Sequence, residues 1–283
     1  MSHNHFALHL DTLKGSHDAR HLSQKLKAAS DAGFEGVSLS LEDVEAWVAS
    51  GRHLRTLHHQ VQELGLHVVE IGEVGILDKR GKVADRTREF AAALALGAPL
   101  VTVVYNHPSA GPQQIRADWT AFLELLSDVE GVRAGLHFKA DSPNFNTLYM
   151  AWDLVGETPA NSALVLDMYD FWKGGSGAGS LDAVPVEMLG MVHITDVRQV
   201  EREKALADDR VFPGEGVMPL THIVTTLGRR GYAGPYSVEV IGECSQKGCV
   251  AVSREAFRTT RKLLGTSGPS HRKLPVAGAL RMA

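Results

Sequence analysis

The chain has 283 residues, of which 44% are hydrophobic and 22% are charged, so it can bury a large core and is not a disordered protein. Its formal net charge of -4 provides no basic field for nucleic acid. No apolar run approaches the roughly 20 residues that cross a bilayer, and the first residues, MSHNHFALHL, lack the pattern of an export signal, so we expect a cytoplasmic protein.

Short β-rich segments alternate with helical segments along the chain. Such alternation predicts parallel strands joined by right-handed crossovers, and eight units match a closed barrel better than an open sheet. No GxGxxG motif follows the first strand, which argues against simple dinucleotide binding. We therefore predict a (β/α)8 TIM barrel that occupies residues 1–265 as one domain. The predicted strands are 6–10, 35–39, 66–71, 99–104, 132–138, 163–167, 191–195 and 236–240.

Helical spacing is clearest over 19–34, 85–98 and 218–232. Glycine suits a helix C-cap, so the first of these helices should end at Gly33, the second at Gly97 and the third at Gly228 and Gly231. Residues 266–283 are rich in Gly, Pro and Ser and are predicted to form a flexible tail, or alternatively a strap across a partner subunit of a homo-oligomer. The two cysteines, Cys244 and Cys249, are too few for a disulfide framework and are interpreted as free thiols.

Potential metal ligands stand at the ends of the fifth to eighth predicted strands: His137, Asp167, His193 and Glu239. The carboxyl ends of barrel strands form the active face, and imidazole and carboxylate side chains bind divalent metals. A single His could be a core residue and a single Asp could cap a helix. Four such residues in register predict one metal site, which would explain why Asp167 closes an apolar strand before a polar loop.

Five segments of the chain carry a family resemblance: LDMYDFWKGG (166–175), VHITD (192–196), RVFPGEGVMPL (210–220), GYAGPYSVEV (231–240) and SPNFNTL (142–148). They resemble the xylose isomerase-like TIM barrel superfamily, which contains sugar phosphate isomerases and epimerases and the endonuclease IV branch. The resemblance extends over most of residues 6–265. It implies one divalent metal held by Glu, Asp, His and Glu, and Asp167, His193 and Glu239 match the last three of these positions.

Two positions depart from the pattern of the family. His137 stands where relatives carry the first glutamate, and Asp170 stands where relatives often carry a histidine. In relatives the first and last glutamates move protons through an enediolate, and a metal-bound imidazole cannot easily act as that base. More imidazole shifts the preference from Mg²⁺ towards Mn²⁺, Zn²⁺, Fe²⁺ or Co²⁺. A His137 that hydrogen-bonds the substrate without a metal remains an open alternative.

Further residues near the predicted strand ends are candidates for chemistry. Lys139 could be a general base with a lowered pKa, an anion anchor, a Schiff-base former or a surface lysine. Either Glu70 or Glu73 could supply the base that His137 cannot. The predicted proton-transfer residues are Glu239, Lys139, Glu70 and Asp170.

The predicted substrate-binding residues are His107, His9, Arg198 and Trp172. Arg198 and Arg210 belong to one long charged loop, which is either a mobile lid that binds an anion or a solvated segment. Trp172 and Phe171 either wall the pocket or pack beneath it. Glu215 in PGEG is interpreted as part of a turn that supports the eighth unit.

The resemblance implies an isomerase or epimerase that acts on a small sugar-like or hydroxy-keto substrate, with a metal that stabilises the enediolate. One alternative is a dehydratase of the 3-dehydroshikimate dehydratase type, in which the same enolate expels a β-hydroxyl. Another is a metal-free barrel that binds a metabolite without turnover. An endonuclease would need more metal ligands and a basic groove, so neither a nucleic-acid nor a membrane partner is expected.

Overall fold

The computed structural model describes residues 6–107, 109–158, 160–177, 179–241 and 247–265. Eight parallel strands close into a barrel in which each strand pairs with its neighbours in chain order, and the last strand pairs with the first. The predicted (β/α)8 barrel is confirmed. The strands are β1 (Phe6–His9), β2 (Gly36–Ser40), β3 (His67–Gly75), β4 (Leu100–Val104), β5 (Arg133–His137), β6 (Ser162–Asp167), β7 (Leu189–Ile194), β8 (Asp196–Val197), β9 (Arg210–Val211) and β10 (Tyr236–Val238). Of these, β8 and β9 form a separate antiparallel ribbon beside the barrel.

Helices connect and surround the barrel strands. The helices in the described ranges are α1 (Ala19–Ala32), α2 (Leu41–Ala49), α3 (Leu54–Glu63), α4 (Thr87–Leu96), α5 (Pro112–Leu125), α6 (Leu148–Val155), α7 (Met168–Lys173), α8 (Ser180–Ala183), α9 (Leu220–Arg229) and α10 (Cys249–Leu264). None of them is both long enough and apolar enough to traverse a lipid bilayer.

The predicted helix ends are largely confirmed. Gly33 and Gly97 cap α1 and α4 with φ values of 104° and 73°, in the left-handed region that glycine adopts at little cost. The stop at Gly228 is wrong, because α9 continues through that residue and the chain turns at Gly231 instead, with φ 89°. The predicted polar loop after Asp167 is also wrong, because α7 begins there. The tail 266–283 and Cys244 lie outside the described residues, and Cys249 is a free thiol.

The inward-facing side chains change from apolar to polar along the barrel strands. An apolar cluster fills the interior where the strands begin, and it consists of Ala7, Val69, Leu100, Ala163, Val165 and Met191. Side chains two positions apart on a strand share a face. His9, Thr102, Asp167 and His193 therefore face the same interior, one layer closer to the strand ends. We call this end of the barrel the mouth.

Strand β3 is irregular close to the mouth. Ile71 pairs with Val101 and Val74 pairs with Val103, so Gly72 and Glu73 lie opposite the single residue Thr102. A bulge of this kind redirects a side chain from the regular alternation of the strand. A Cβ atom at residue 72 would lie 2.7 Å from the Thr102 Cβ, so only glycine allows this close approach.

Candidate functional site

Three of the four predicted ligands meet at the mouth. Asp167 ends β6, His193 lies near the end of β7 and Glu239 follows β10, and one donor atom of each lies within 4.8 Å of the others. His193 Nδ1 is 3.4 Å from Glu239 Oε2 and 4.0 Å from Asp167 Oδ2. This buried nitrogen makes no hydrogen bond with the described residues. Buried polar atoms are normally satisfied, so an unbonded nitrogen between two carboxylates fits a cation-binding position.

Glu70 holds the opposite side of the same imidazole ring. It is fully buried, its Oε1 lies 2.7 Å from His193 Nε2, and its Oε2 accepts a hydrogen bond from the Thr102 hydroxyl. Donation from Nε2 to Glu70 makes Nδ1, on the side of Asp167 and Glu239, the ring nitrogen that can bind a metal once it is deprotonated. Because both oxygens of Glu70 are engaged, its contacts favour a positioning role over the predicted role as a base.

His137 lies beside the group formed by Asp167, His193 and Glu239, with its ring centre 5.8 Å from that of His193. Its Nδ1 lies 2.6 Å from Glu73 Oε1, and its Nε2 lies 3.0 Å from Asp170 Oδ2. It can also be grouped with Asp167 and Asp170 within 4.8 Å, and, as at His193, a carboxylate faces each ring nitrogen. His137 Nδ1, like His193 Nδ1, is buried and makes no hydrogen bond with the described residues. The role of His137 as a fourth ligand therefore stays a prediction, and its alternative is an imidazole held between Glu73 and Asp170.

The short helix α7 sets the positions of two carboxylates. Asp167 is the N-cap of this helix, and its Oδ1 accepts a hydrogen bond of 2.7 Å from the Asp170 backbone nitrogen. Asp170 Oδ1 in turn accepts a hydrogen bond of 2.8 Å from the Ala140 backbone nitrogen. The capping role and the place in the candidate metal group therefore coexist at Asp167, while Asp170 is fully occupied in holding His137.

The β8–β9 ribbon brings Arg210 to the mouth and leaves Arg198 outside. Arg210 is buried, its Nη2 lies 3.4 Å from each oxygen of Asp167, and its guanidinium lies 4.5 Å from the centre of the Tyr169 ring. Arg198 has a 57% exposed side chain that pairs with Asp209. Of the two arginines, Arg210 is therefore the one that can reach a molecule at the mouth.

One buried carboxylate, Asp196, fixes the ribbon to the turn that follows it. Its Oδ1 accepts hydrogen bonds from the backbone nitrogens of Val197 and Met218, at 2.8 and 3.0 Å. Its Oδ2 accepts from Gly214 and Gly216, at 3.1 and 3.0 Å. A Cβ atom at Gly216 would overlap this carboxylate and a backbone carbonyl oxygen. The HITD and PGEG motifs are thus joined through Asp196 into one structural unit.

Lys139 pairs with Glu73 at the more open side of the mouth. The Lys139 ammonium donates to Glu73 Oε1, and the two side chains are 37% and 35% exposed. Burial acts to lower the pKa of Lys139, but Glu73 and the other mouth carboxylates outweigh it and raise the pKa. A general base or a Schiff-base former needs the neutral amine, so the structure disfavours both of these roles for Lys139.

Negative charge exceeds permanent positive charge at the mouth. The carboxylates are Glu70, Glu73, Asp167, Asp170 and Glu239, and the permanent cations among the residues that contact them are Lys139 and Arg210. Burial acts to lower the pKa of His193, yet the carboxylates of Glu70 and Glu239 outweigh it and raise that pKa well above its usual range. A site that draws protons onto a buried imidazole is suited to a divalent cation, and the donor set fits one.

The remaining predicted site residues divide between the mouth and other places. His9 is buried, and its ring centre lies 5.6 Å from that of His193, so it lines the mouth. His107 is exposed on the loop after β4, where Nδ1 accepts a hydrogen bond of 3.3 Å from the Ser109 nitrogen. Phe171 is buried, and Trp172 is partly buried and packs against the same core, so both side chains have packing partners and the role of Trp172 in substrate binding stays a prediction.

Comparison with known proteins agrees with this architecture. The model of the xylose isomerase-like TIM barrel family matches residues 26–263. A crystal structure of the IolI protein with a bound zinc atom superposes with a TM-score of 0.80 at 19% identity, covering 93% of this chain and 98% of that one. The structural similarity therefore extends over nearly the whole length of both chains.

Two curated relatives are named enzymes. The chain is 28% identical to a 3-dehydroshikimate dehydratase of Pseudomonas aeruginosa over 78% of its own length and 36% of that protein. It is also 28% identical to an inosose isomerase of Halalkalibacterium halodurans, over 52% of its length and 55% of that protein. The chain thus spans about a third of the length of the dehydratase that it matches.

Proposed function

This chain belongs to the xylose isomerase-like TIM barrel family, and from that premise we propose that it is a divalent-metal-dependent isomerase or epimerase acting on a small sugar-like or hydroxy-keto substrate. The observation that carries the proposal is the meeting of Asp167, His193 and Glu239 around an imidazole nitrogen that no described residue hydrogen-bonds. The relatives named as inosose isomerases support this class of reaction.

Asp167, His193 and Glu239 would hold the metal, which when bound supplies a Lewis acid for the substrate carbonyl. Three protein ligands are typical of catalytic sites that keep a position for substrate. Imidazole together with carboxylate favours Mn²⁺, Fe²⁺, Co²⁺ or Zn²⁺ over Mg²⁺. The zinc in the similar IolI structure supports an ion of this kind.

The side chains of the mouth would orient the substrate and move its proton. Glu239 is 14% exposed, so its carboxylate can face both the ligand group and a molecule in the open mouth, which suits proton transfer. Arg210 balances the charge of Asp167 from the ribbon side. His9 lines the wall beside His193 and can hydrogen-bond a substrate hydroxyl.

Dehydration of a 3-dehydroshikimate-like substrate is the second candidate. The relative that covers 78% of this chain is a named 3-dehydroshikimate dehydratase. The two reactions share the removal of a proton beside a carbonyl. They differ only in the fate of the electron pair, which returns to a proton in an isomerase and expels a β-hydroxyl in a dehydratase.

The test uses protein that has been stripped with a chelator and reloaded with Mn²⁺ or Zn²⁺. We expect close to one ion per chain and metal-dependent incorporation of solvent deuterium into an inosose or a ketose, measured by NMR. A conjugated product from 3-dehydroshikimate, measured by ultraviolet absorbance, would instead select the dehydratase.

The matched variants are His193→Ala in the ligand group and His59→Ala on α3, where the side chain is 69% exposed. His193→Ala should lose both metal and activity, whereas His59→Ala should keep both. Full metal content in His193→Ala, or no reaction of the metal-loaded protein with any of these probes, would refute the proposal.

A further inference from the structure

We propose that Glu73 is a second proton-transfer residue of this site and that its carboxylate oxygen Oε2 accepts a proton from a substrate carbon. The inference rests on the proposed function and adds to it a residue from β3. It follows from asking which carboxylate at the mouth still has an oxygen available for a substrate.

Two of the other carboxylates have no such oxygen. Glu70 is fully buried and accepts hydrogen bonds from His193 on one oxygen and from Thr102 on the other. Asp170 accepts from the Ala140 nitrogen on Oδ1 and faces His137 Nε2 with Oδ2. A proton could reach either group only after the loss of a contact that holds the site together.

The next two carboxylates belong to the candidate metal group. Asp167 is fully buried, caps α7 and pairs with Arg210 through both oxygens. Glu239 faces His193 Nδ1 with Oε2. Glu239 therefore serves both the ligand group and the substrate, and the site lacks a second acceptor unless Glu73 supplies it.

Glu73 differs from these four residues in exposure and in its contacts. Its side chain is 35% exposed, and only Oε1 is engaged, by Lys139 and by His137 Nδ1 at 2.6 Å. No described residue donates a hydrogen bond to Oε2. The bulge at Gly72 and Glu73 turns this side chain out of the regular alternation of β3, which places the carboxylate over His137.

The surroundings of Glu73 hold the carboxylate in one orientation. Lys139 and His137 grip the same oxygen, and Asp170 holds the far side of the His137 ring. This chain of contacts holds Oε1 and leaves Oε2 without a hydrogen bond from the described residues, on a side chain that is 35% exposed. His137 and Lys139 are thus positioning residues for Glu73, a role that also explains why both ring nitrogens of His137 face carboxylates.

The proposed step is balanced without an external oxidant or reductant. The bond between hydrogen and the carbon next to the substrate carbonyl breaks, and the proton forms an O–H bond at Glu73 Oε2. The electron pair of the broken bond forms the carbon–carbon double bond of the enediolate, and the carbonyl oxygen takes the negative charge. Glu73 then returns the proton to the former carbonyl carbon, and the hydroxyl proton of the neighbouring carbon moves to the negatively charged oxygen. The neighbouring carbon thereby becomes the new carbonyl, the carboxylate is restored and the isomerisation is complete.

The experiment compares Glu73→Gln with Glu63→Gln, a control on α3 whose side chain is 66% exposed. Metal-loaded protein is incubated with an inosose in deuterated solvent, and exchange is followed by NMR. We expect Glu73→Gln to lower kcat for exchange by about 100-fold or more, since positioned acid–base groups contribute that much. Its metal content and KM should stay close to those of the wild type, and Glu63→Gln should match the wild type throughout.

Chemical rescue separates proton transfer from a structural role. Glu73→Ala should regain part of its exchange rate in added formate, because the small carboxylate can occupy the space left by the side chain. Three results would overturn the assignment: undiminished exchange in Glu73→Gln, loss of metal from that variant, or no rescue of Glu73→Ala. If the wild type itself exchanges no probe, the proposed function fails, and the role of Glu73 fails with it.

Discussion

Two buried groups of charges in this barrel are organised in opposite ways. Between α1 and α2, Lys25 and Asp43 have side chains that are 1% and 0% exposed, and the Lys25 Nζ lies 3.3 Å from Asp43 Oδ2. His17 Nδ1 lies 2.9 Å from the other oxygen of Asp43. At the mouth, by contrast, carboxylates outnumber permanent cations, and the Nδ1 atom of His193 has no hydrogen bond among the described residues.

The two groups differ in whether their charges are paired within the protein: Asp43 is paired with Lys25, whereas the mouth has more carboxylates than permanent cations. Asp11, His17 and Asp43 also lie within 4.8 Å of one another, as the mouth ligands do. Proximity alone therefore does not identify a metal site. The Lys25 ammonium already balances Asp43, whereas the mouth carboxylates outnumber the permanent cations Lys139 and Arg210, a surplus that a divalent cation would offset.

The largest effect should follow from breaking the balanced pair. Lys25→Ala leaves Asp43 buried without its cation and should lower the free energy of unfolding by about 3–5 kcal/mol. Lys27→Ala, in the same helix with a 67% exposed side chain, should cost less than about 1 kcal/mol. Urea denaturation measures both, and equal costs would show that the buried pair contributes nothing beyond a surface pair.

A smaller effect should follow from removing the charge of Glu70, which holds His193 in place at the mouth. Glu70→Gln removes the charge behind His193 and should weaken binding of Mn²⁺ or Zn²⁺ by about 10- to 100-fold, as changes to groups behind metal ligands do. Titration of the metal-free protein by calorimetry measures this affinity. Thr102→Val, which removes one hydrogen bond to Glu70, should have the same direction and a lesser size. Unchanged affinity in Glu70→Gln would contradict the positioning role.

The smallest effect should come from the arginine that lies outside the mouth. Arg198→Ala removes an exposed pair with Asp209 and should change stability by less than about 1 kcal/mol. The exchange rate of the metal-loaded protein should also stay near that of the wild type. Arg210→Ala should reduce kcat/KM by about tenfold or more, because it removes a charged hydrogen-bond partner from the buried Asp167. Equal losses of kcat/KM in Arg198→Ala and Arg210→Ala would contradict the placement of Arg210 at the mouth and of Arg198 outside it.

The barrel and most of its mouth could be predicted from the sequence because both depend on strand periodicity. Apolar runs of five to seven residues, separated by segments with helical spacing, identify the strands. The last inward positions of three of these strands carry Asp167, His193 and Glu239. Such positions follow from local alternation alone. The ends of α1 and α4 were equally predictable, because a glycine marks each of them.

The roles that the sequence left open belong to residues whose contacts join distant parts of the chain. Whether His137 binds a metal depends on Glu73 and Asp170, which reach it from β3 and α7. The choice between Arg198 and Arg210 depends on the register of an antiparallel ribbon, which periodicity does not reveal. One local signal was present, since a glycine inside a strand indicates a bulge, and Gly72 marks the bulge that displaces Glu73 from the alternation of β3.

The hydrogen bonds that Asp196 accepts from the backbone around the ribbon affect which sequence changes this fold can tolerate. Because one carboxylate grips four main-chain nitrogens, the base of the ribbon is held independently of the stretch that joins its two strands. Insertions and deletions in that stretch can accumulate while Arg210 stays in register with Asp167. Changes in this stretch can therefore alter which molecules bind at the rim of the barrel while Asp167, His193 and Glu239 keep their positions.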